Sequence, residues 1–424
     1  MMRTLSLTML MLAFSLACRA GAPEIRVVTI AGPINPVTAD YLRNNLHESA
    51  RRQERLVLIE MDTPGGLDTA MRDIVKEVLA SPVPVAVYVT PAGARAASAG
   101  AVIGVAADIL AMSHGTNIGA AHPVSIGEKP DKVMQDKILN DAEAYLEGVA
   151  RKRGRNVEAA KSMVRQSISL SAENALEMKV IDLIAADRTE LLKKLDGRVV
   201  SRDGKDIALR LTGARAIIYG MSVRQRVLNA VSNPNVAYML MMLGMLGLFF
   251  ELANPGVILP GVIGGISLIL AFFAFQTLPV NYAGVLLILL ALVLFIAEIK
   301  IVSHGMLTVG GIVSMVFGSL LLFESPEPYL RVSWGVILTA VLATTLFFAF
   351  AIAKAVKAYR RRPISGSEGL IGETGWADSD LAPEGKVFVR GEYWEAWCDE
   401  RINKGEKLTV TAVEGMRLKV RKLS

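Results

Sequence analysis

Between Val236 and Val356 the chain carries five apolar segments in close succession, more uninterrupted hydrocarbon than a water-soluble core accommodates. They run over residues 236–253, 257–275, 283–299, 306–323 and 334–355, each near the roughly 17 to 25 residues that a helix needs to cross a bilayer core. Their presence explains a mean hydropathy of +0.41 and 52% hydrophobic residues in a chain of 424, values above the soluble range. A multi-pass helical region over 234–357 is therefore the first expectation. Lys354, Lys357, Arg360, Arg361 and Arg362 directly follow the fifth segment, as on the cytoplasmic side of a membrane anchor. Lys300 falls in a second inner loop if all five segments cross. The Asn254-Pro255-Gly256 turn also fits the tip of a re-entrant hairpin, which changes the crossing count.

Residues 1–22 read as a secretory signal peptide, with Arg3 as the basic start, an apolar middle over 5–17 and a small-residue site at Ala20-Gly21-Ala22. A first transmembrane helix and a lipid anchor on Cys18 are the alternatives. With the leader removed, the domain that follows lies outside and five crossings bring the C-terminus inside. That predicts a multi-pass protein of the inner membrane, with its first domain periplasmic and its last cytoplasmic. The two cysteines, Cys18 and Cys398, have no Cys or His neighbours at ligand spacing, so no disulfide and no metal site are expected. A formal charge of +6 without an interleaved basic and aromatic patch gives no reason to expect nucleic acid.

Residues 23–225 alternate short β-branched runs with helical patterns. Strands are expected over 25–30, 56–61, 83–89 and 109–113, and helices over 37–52 and 67–80. This is the signature of an α/β fold around a buried, mostly parallel sheet. After a Ser/Gly-rich linker, residues 366–424 carry short alternating strands such as 386–389 and 407–413, which predict a small all-β barrel. Trp376, Tyr393, Trp394 and Trp397 in that barrel fit a core or a protein contact equally. Glu251 and Glu298 are acidic residues near the ends of apolar segments and raise the alternative of a transporter.

Three pieces of the α/β region carry chemical potential. Asp62-Thr63-Pro64-Gly65-Gly66 follows a strand, and a double glycine there lets the backbone turn and offer N–H groups to a ligand oxygen; a plain strand-to-helix turn is the other reading. GARAASAG at 93–100 places Ser98 at the start of a small-residue helix, open to a peptide, although serine is also a common structural N-cap. Across 130–153 a helical pattern puts Val133, Met134, Lys137, Ile138 and Asp141 on one face, so that Lys137 interrupts an apolar stripe. A lysine acts as a general base only when desolvation lowers its pKa from about 10.4 to about 7 or 8. The competing reading is a wet ion pair between Lys137 and Asp141. His122, in GAAHPV, is a rival base that needs no such tuning.

Taken in order, DTPGG, GARAASAG, NIGAAHPV, DKILND and SAENALEMKVID resemble the membrane-bound serine protease domain of the long-form NfeD family, a domain similar to Clp protease and signal peptide peptidase A. The similarity extends through GMLTVGGIVSMVFGSLLLF to EGLIGETGWA and the C-terminus, which is similar to the family's OB-fold domain. The resemblance implies a Clp/crotonase-like α/β fold with Ser98 as nucleophile. It makes Lys137, at the head of Lys137-Ile138-Leu139-Asn140, the base of a Ser-Lys dyad, and Gly65, Gly66 and the N–H of Ala99 an oxyanion hole. Clp proteases carry a histidine at a place like His122, so both bases stay open. The implied activity is that of a membrane-anchored serine endopeptidase without cofactor, cutting apolar segments of proteins such as stomatin-like membrane partners. Besides that substrate and the membrane, a homo-oligomer is expected. The alternative is an inert scaffold that assembles with stomatin-like proteins in membrane microdomains; retention of Ser98 and Lys137 favours the enzyme.

Overall fold

Long runs of β-branched and apolar residues in the first two hundred positions form strands buried on both faces, because a sheet with helices on each side leaves neither face wet. The computed structural model describes residues 24–124, 131–202, 204–253, 256–301, 303, 305–323, 325, 327–359 and 367–423. The expected leader over 1–22, the Asn254-Pro255 turn and the Arg360–362 cluster lie outside the described residues. The chain divides into two compact units, Met1–Leu292 with Gly311–Leu342 and Val293–Gly310 with Ala343–Ser424.

The α/β domain begins β1 (Glu24–Ala31), α1 (Pro36–Arg52), β2 (Leu56–Asp62), α2 (Asp68–Ala80) and β3 (Val85–Val89). It continues through β4 (Arg95–Ala97), α3 (Ala99–Ala106), β5 (Ile109–Met112), β6 (Asn117–Gly119), α4 (Lys132–Lys152) and α5 (Val157–Arg165). It closes with β7 (Ser169–Ser171), α6 (Ala172–Glu177), β8 (Leu183–Ile184), α7 (Arg188–Leu195), the hairpin β9 (Val199–Arg202) and β10 (Lys205–Ala208), and β11 (Arg215–Ile218). Six strands pair in parallel in the order β11-β1-β2-β3-β5-β8. Alternate residues serve two cores: Val28, Ile59, Val87 and Leu110 face one, Val27, Leu58, Tyr88 and Ala111 the other. The four strands and two helices expected from the sequence are present within two residues of their expected ends.

A small second sheet, β4-β6-β7, was not foreseen. Each of its strands is three residues long, too short to display a period of two, so tertiary pairing creates it. A bridge between Thr63 and Ala96 joins it to the end of β2. Arg153, just past α4, bonds the Ala106 carbonyl at 2.7 Å and pairs with buried Asp108. With Leu146, Val149 and Ala150 in the core, this fixes the C-terminal half of α4.

After α8 (Val223–Val231) come the five apolar helices, α9 (Pro234–Ala253), α10 (Leu259–Phe275), α11 (Tyr282–Lys300), α12 (Met306–Leu321) and α13 (Trp334–Tyr359). Three stretches, Pro234–Leu252, Tyr282–Ile299 and Pro328–Lys354, are long and apolar enough to cross a membrane; α10 and α12 are shorter, at 17 and 16 residues. Glycines let neighbouring helices touch backbone to backbone, as lipid-embedded packing favours. A Cβ on Gly247 would sit 2.5 Å from the Pro260 carbonyl oxygen, and one on Gly284 2.7 Å from the Leu322 backbone.

The Ser333 N–H donates to Asn235 Oδ1 at 2.8 Å and the Asn281 N–H to the Leu322 carbonyl at 2.8 Å. The starts of α9, α11 and α13 thus gather at one end. A hairpin of α9 and α10 returns to the side it left whether or not it spans, so the expected sidedness does not depend on that choice. Glu298 accepts from Ser303 Oγ at 2.5 Å and from the N–H groups of Gly305 and Thr308 at 3.0 and 3.1 Å. It caps the first turn of α12, which removes the main reason to read it as a transport site.

The C-terminal barrel consists of β12 (Thr374–Ala377), β13 (Glu384–Val389), β14 (Glu392–Trp397), β15 (Lys407–Glu414) and β16 (Arg417–Lys422). It closes in the order β12-β13-β14-β16-β15, with only the β14-β16 pair parallel, as in an OB-fold. Val387, Val389, Leu408, Val410, Leu418 and Val420 fill it. Trp376 and Tyr393 are exposed on either side of Phe388, whereas Trp394 packs against the core.

Candidate active site

Ser98 sits where β4 ends and α3 begins, at φ +54° and ψ −117°. A side chain held on the positive-φ side costs on the order of 1 to 3 kcal/mol and persists only where the surroundings impose it. Here they do. The Ser98 N–H donates to the Gly119 carbonyl at 2.8 Å, and the Ser98 carbonyl accepts from the Ala101 N–H at 3.0 Å. Ser98 occupies the N-cap position of α3, yet its hydroxyl makes no capping bond. The purely structural explanation of this serine therefore fails: the Oγ is half-buried and, among the described residues, unengaged.

The two glycines of the DTPGG loop have different work. At Gly66 a Cβ would lie 2.0 Å from the Ile34 carbonyl oxygen, so this glycine exists for close backbone approach beside β1. At Gly65, with φ +124°, a Cβ would lie 2.8 Å from Ser98 Cβ and 3.2 Å from Ser98 Oγ, so Gly65 is what leaves room in front of the serine. The Gly65 N–H is already engaged by Thr63 Oγ1 at 3.1 Å. Among the described residues the N–H groups of Gly66 and of Ala99, the first residue of α3, have no partner and remain available to an oxyanion.

Thr63 was not singled out from the sequence. It is fully buried; its N–H donates to the Arg95 carbonyl at 2.7 Å and its carbonyl accepts from the Ala97 N–H at 3.1 Å, which ties the glycine loop to the serine strand. The habit of threonine hydroxyls of bonding backbone two residues on was the available signal. Tyr329, in the turn Pro328–Leu330 between α12 and α13, is the other omission: its hydroxyl lies 3.4 Å from the same Cβ position on Gly65. No pattern in the sequence links that turn to Ser98.

His122 lies just past β6 on a loop fixed by the Ala120 and Ala121 N–H groups, which donate to the Ile168 and Met163 carbonyls at 2.8 Å each. Its ring is exposed, and Nδ1 donates to the Val164 carbonyl at 3.0 Å, which leaves the lone pair of a neutral ring on Nε2. Lys137 is on the first two turns of α4, which begin at the cap formed by Asp131. The apolar stripe expected around it exists but faces outward: Val133, Met134 and Ile138 are 66%, 47% and 38% exposed, and Lys137 is exposed with them. Full burial of α4 starts only at Glu143, with Leu139 and Ala142 partly buried before it. The competing ion pair is absent too, because Asp141 pairs with Arg72 and Lys137 has no partner among the described residues. The single chain thus brings Gly65, Ser98 and the β6 loop together and leaves Lys137 unpaired on the surface.

Comparison with known proteins covers nearly the whole chain. Residues 24–210 match the N-terminal domain of NfeD1b, residues 235–354 the NfeD integral membrane domain, and residues 367–422 the NfeD-like C-terminal, partner-binding domain. The membrane-bound protease PH1510 of Pyrococcus horikoshii is 34% identical over 432 residues, covering 98% of this chain and 97% of that protein. Membrane protein NfeD1b of Bacillus subtilis is 26% identical over 444 residues, covering 97% and 96%. Among solved structures, the 1510-N membrane protease specific for a stomatin homolog from Pyrococcus horikoshii is 30% identical with a TM-score of 0.44, covering 50% of this chain and 99% of that one. A lysine-to-alanine mutant of the 1510-N membrane-bound stomatin-specific protease, in complex with a substrate peptide, is 33% identical with a TM-score of 0.46, covering 49% and 97%.

Proposed function

We propose, because this chain belongs to the long-form NfeD family, that it is a membrane-anchored serine endopeptidase in which Ser98 attacks the peptide carbonyl and Lys137 is the base. The observation that carries this reading is the uncapped hydroxyl of Ser98, held at positive φ in front of a glycine whose missing side chain clears the approach. The relative PH1510 is a membrane-bound protease and a solved relative is specific for a stomatin homolog. By that analogy the substrate is an apolar segment of a stomatin-like protein beside the membrane.

The chemistry is acyl transfer. The neutral Lys137 amine takes the Ser98 proton as Oγ bonds to the carbonyl carbon, and the oxyanion that forms is held by the N–H groups of Gly66 and Ala99. The C–N bond breaks as the lysine ammonium returns its proton to the leaving amine. Water, losing a proton to Lys137, then hydrolyses the ester and restores Ser98.

Lysine must be desolvated for this role, since its free pKa of about 10.4 leaves it protonated near neutrality. The exposed Val133, Met134 and Ile138 around Lys137 offer a surface that a second copy of the chain, or the bound peptide, would cover. An oligomer that closes over the start of α4 therefore belongs to this proposal. So does an inner-membrane location with the α/β domain on the periplasmic side and the barrel in the cytoplasm.

The test is cleavage by the full-length chain in detergent micelles, using peptides from an apolar stomatin-like segment. Ser98→Ala and Lys137→Ala are each expected to lose about a thousandfold or more in kcat/KM, the scale of a lost nucleophile or base, and His122→Ala less than about tenfold. Cleavage that survives Ser98→Ala would sink the proposal. Loss in His122→Ala with retention in Lys137→Ala would move the base to the histidine.

A further inference from the structure

We infer that the C-terminal barrel docks on the bilayer surface beside which α13 ends, through an outward-facing row of aromatic side chains bordered by lysine and arginine, and that anionic phospholipid is its ligand there. Alternate residues of each barrel strand point inward and outward. Ala377, Val387, Val389 and Ala396 belong to the interior, which turns Trp376, Phe388 and Tyr393 outward on three adjacent strands. The register sets them side by side, Trp376 opposite Phe388 and Phe388 opposite Tyr393. Their rings pack together, with centroids 4.8 Å apart in the first pair and 4.9 Å in the second. Trp376 is nevertheless 51% and Tyr393 67% exposed, so the row forms an open aromatic surface.

The row continues on β15 as Lys407, which pairs opposite Trp376. Arg421, on the outer face of β16, lies opposite Thr409, two residues further along β15. Neither cation has an acidic partner among the described residues. Glu395, the acid that shares the outer face of β14 with Tyr393, is engaged instead by Arg417 at 3.6 Å. Aromatic side chains with an apolar body and a polar edge settle at the headgroup level of a bilayer. Unpaired cations beside them are drawn to the phosphates of an anionic leaflet.

The chain itself brings this face to lipid. The apolar stretch that includes α13 runs to Lys354 and the helix to Tyr359. The barrel is entered at Ser367–Leu370, where Leu370 is buried in its core. Residues 360–366 join the two, a length that spans at most about 30 Å. Trp376 lies in the first strand, two residues after its start at Thr374. A surface tethered so closely meets the membrane at an effective concentration far above that of a free partner. The bilayer, rather than a soluble protein, is therefore the occupant assigned to the row.

The test uses the full-length protein with Cys18→Ser, carrying an environment-sensitive fluorophore on Thr374→Cys or, beyond the end of β14, on Glu400→Cys. Both positions are exposed, and Cys398 is buried away from the label. The protein is reconstituted in vesicles of phosphatidylcholine and phosphatidylglycerol that contain a headgroup-labelled nitroxide lipid as quencher. Quenching at 374 is expected to exceed that at 400 by about twofold or more. Trp376→Glu, and separately Lys407→Glu with Arg421→Glu, should each remove about half or more of that excess, and vesicles without phosphatidylglycerol should do the same for the unsubstituted barrel. All three substituted residues belong to the outer face, and an unchanged thermal midpoint shows that the barrel is intact. Equal quenching at the two positions would overturn the inference, whether or not the probe at 374 then responds to an added protein partner. So would an excess that survives both Trp376→Glu and the double charge reversal, because the tether alone would then account for it.

Discussion

Ser98 and the two glycines of the DTPGG loop are each constrained for a reason of their own. Ser98 is held at positive φ by bonds at both its N–H and its carbonyl. Gly66 is needed because two backbone segments meet there, and Gly65 because the serine does. Substitution should separate the two roles. Gly66→Ala forces its Cβ against the Ile34 carbonyl and should lower stability by about 1 to 3 kcal/mol or more, read as a fall in the thermal midpoint of the purified protein. Gly65→Ala is strained at φ +124° and so also lowers the midpoint, but its Cβ meets the Ser98 side chain rather than backbone, so it should reduce turnover by a larger factor than Gly66→Ala does. Equal effects of the two variants on both measurements would contradict this division. The double glycine and the serine were both legible in the sequence, because DTPGG and GARAASAG each follow an apolar run. Whether the serine hydroxyl capped its helix was not legible, since residue identity permits a cap but the backbone angle decides whether it forms.

At the scale of elements, what could be read from the sequence depended on length. Strands of four or more buried residues announce themselves by their apolar runs, and so do the five apolar helices. The three-residue strands β4, β6 and β7 carry no periodic signal, although they position Ser98 and the loop before His122. Helix α4 is a different case: its stripe of Val133, Met134, Lys137 and Ile138 is visible in the sequence, but only packing decides which half of a helix meets the core, and here that is the half anchored by Arg153. Sidedness is also a property of elements. The starts of α9, α11 and α13 meet at the end that adjoins the α/β domain. With the α/β domain outside the cytoplasm, as proposed, a cytoplasm-active reporter fused after Ser424 is expected to be active, and one inserted in the 276–281 loop to be silent. An exported Ser424 fusion would contradict an odd number of crossings.

For the molecule as a whole, the site draws on parts remote in sequence. Ser98, Gly66 and Ala99 lie on the α/β domain, the Tyr329 hydroxyl reaches Gly65 from the turn between α12 and α13, and Lys137, the base under the proposed mechanism, lies on an exposed helix face. Lys137 could be named only by resemblance, because its exposed position in the single chain carries no sign of a pairing with Ser98. A reactive fluorophosphonate tests it most directly, because the probe bonds only to a serine whose proton is being removed. With the full-length protein in detergent micelles, peptide mass analysis should locate the adduct on Ser98, and labelling of Lys137→Ala should slow by about a hundredfold or more. An adduct on another residue, or a Lys137→Ala protein labelled at the wild-type rate, would contradict the dyad at the centre of the account.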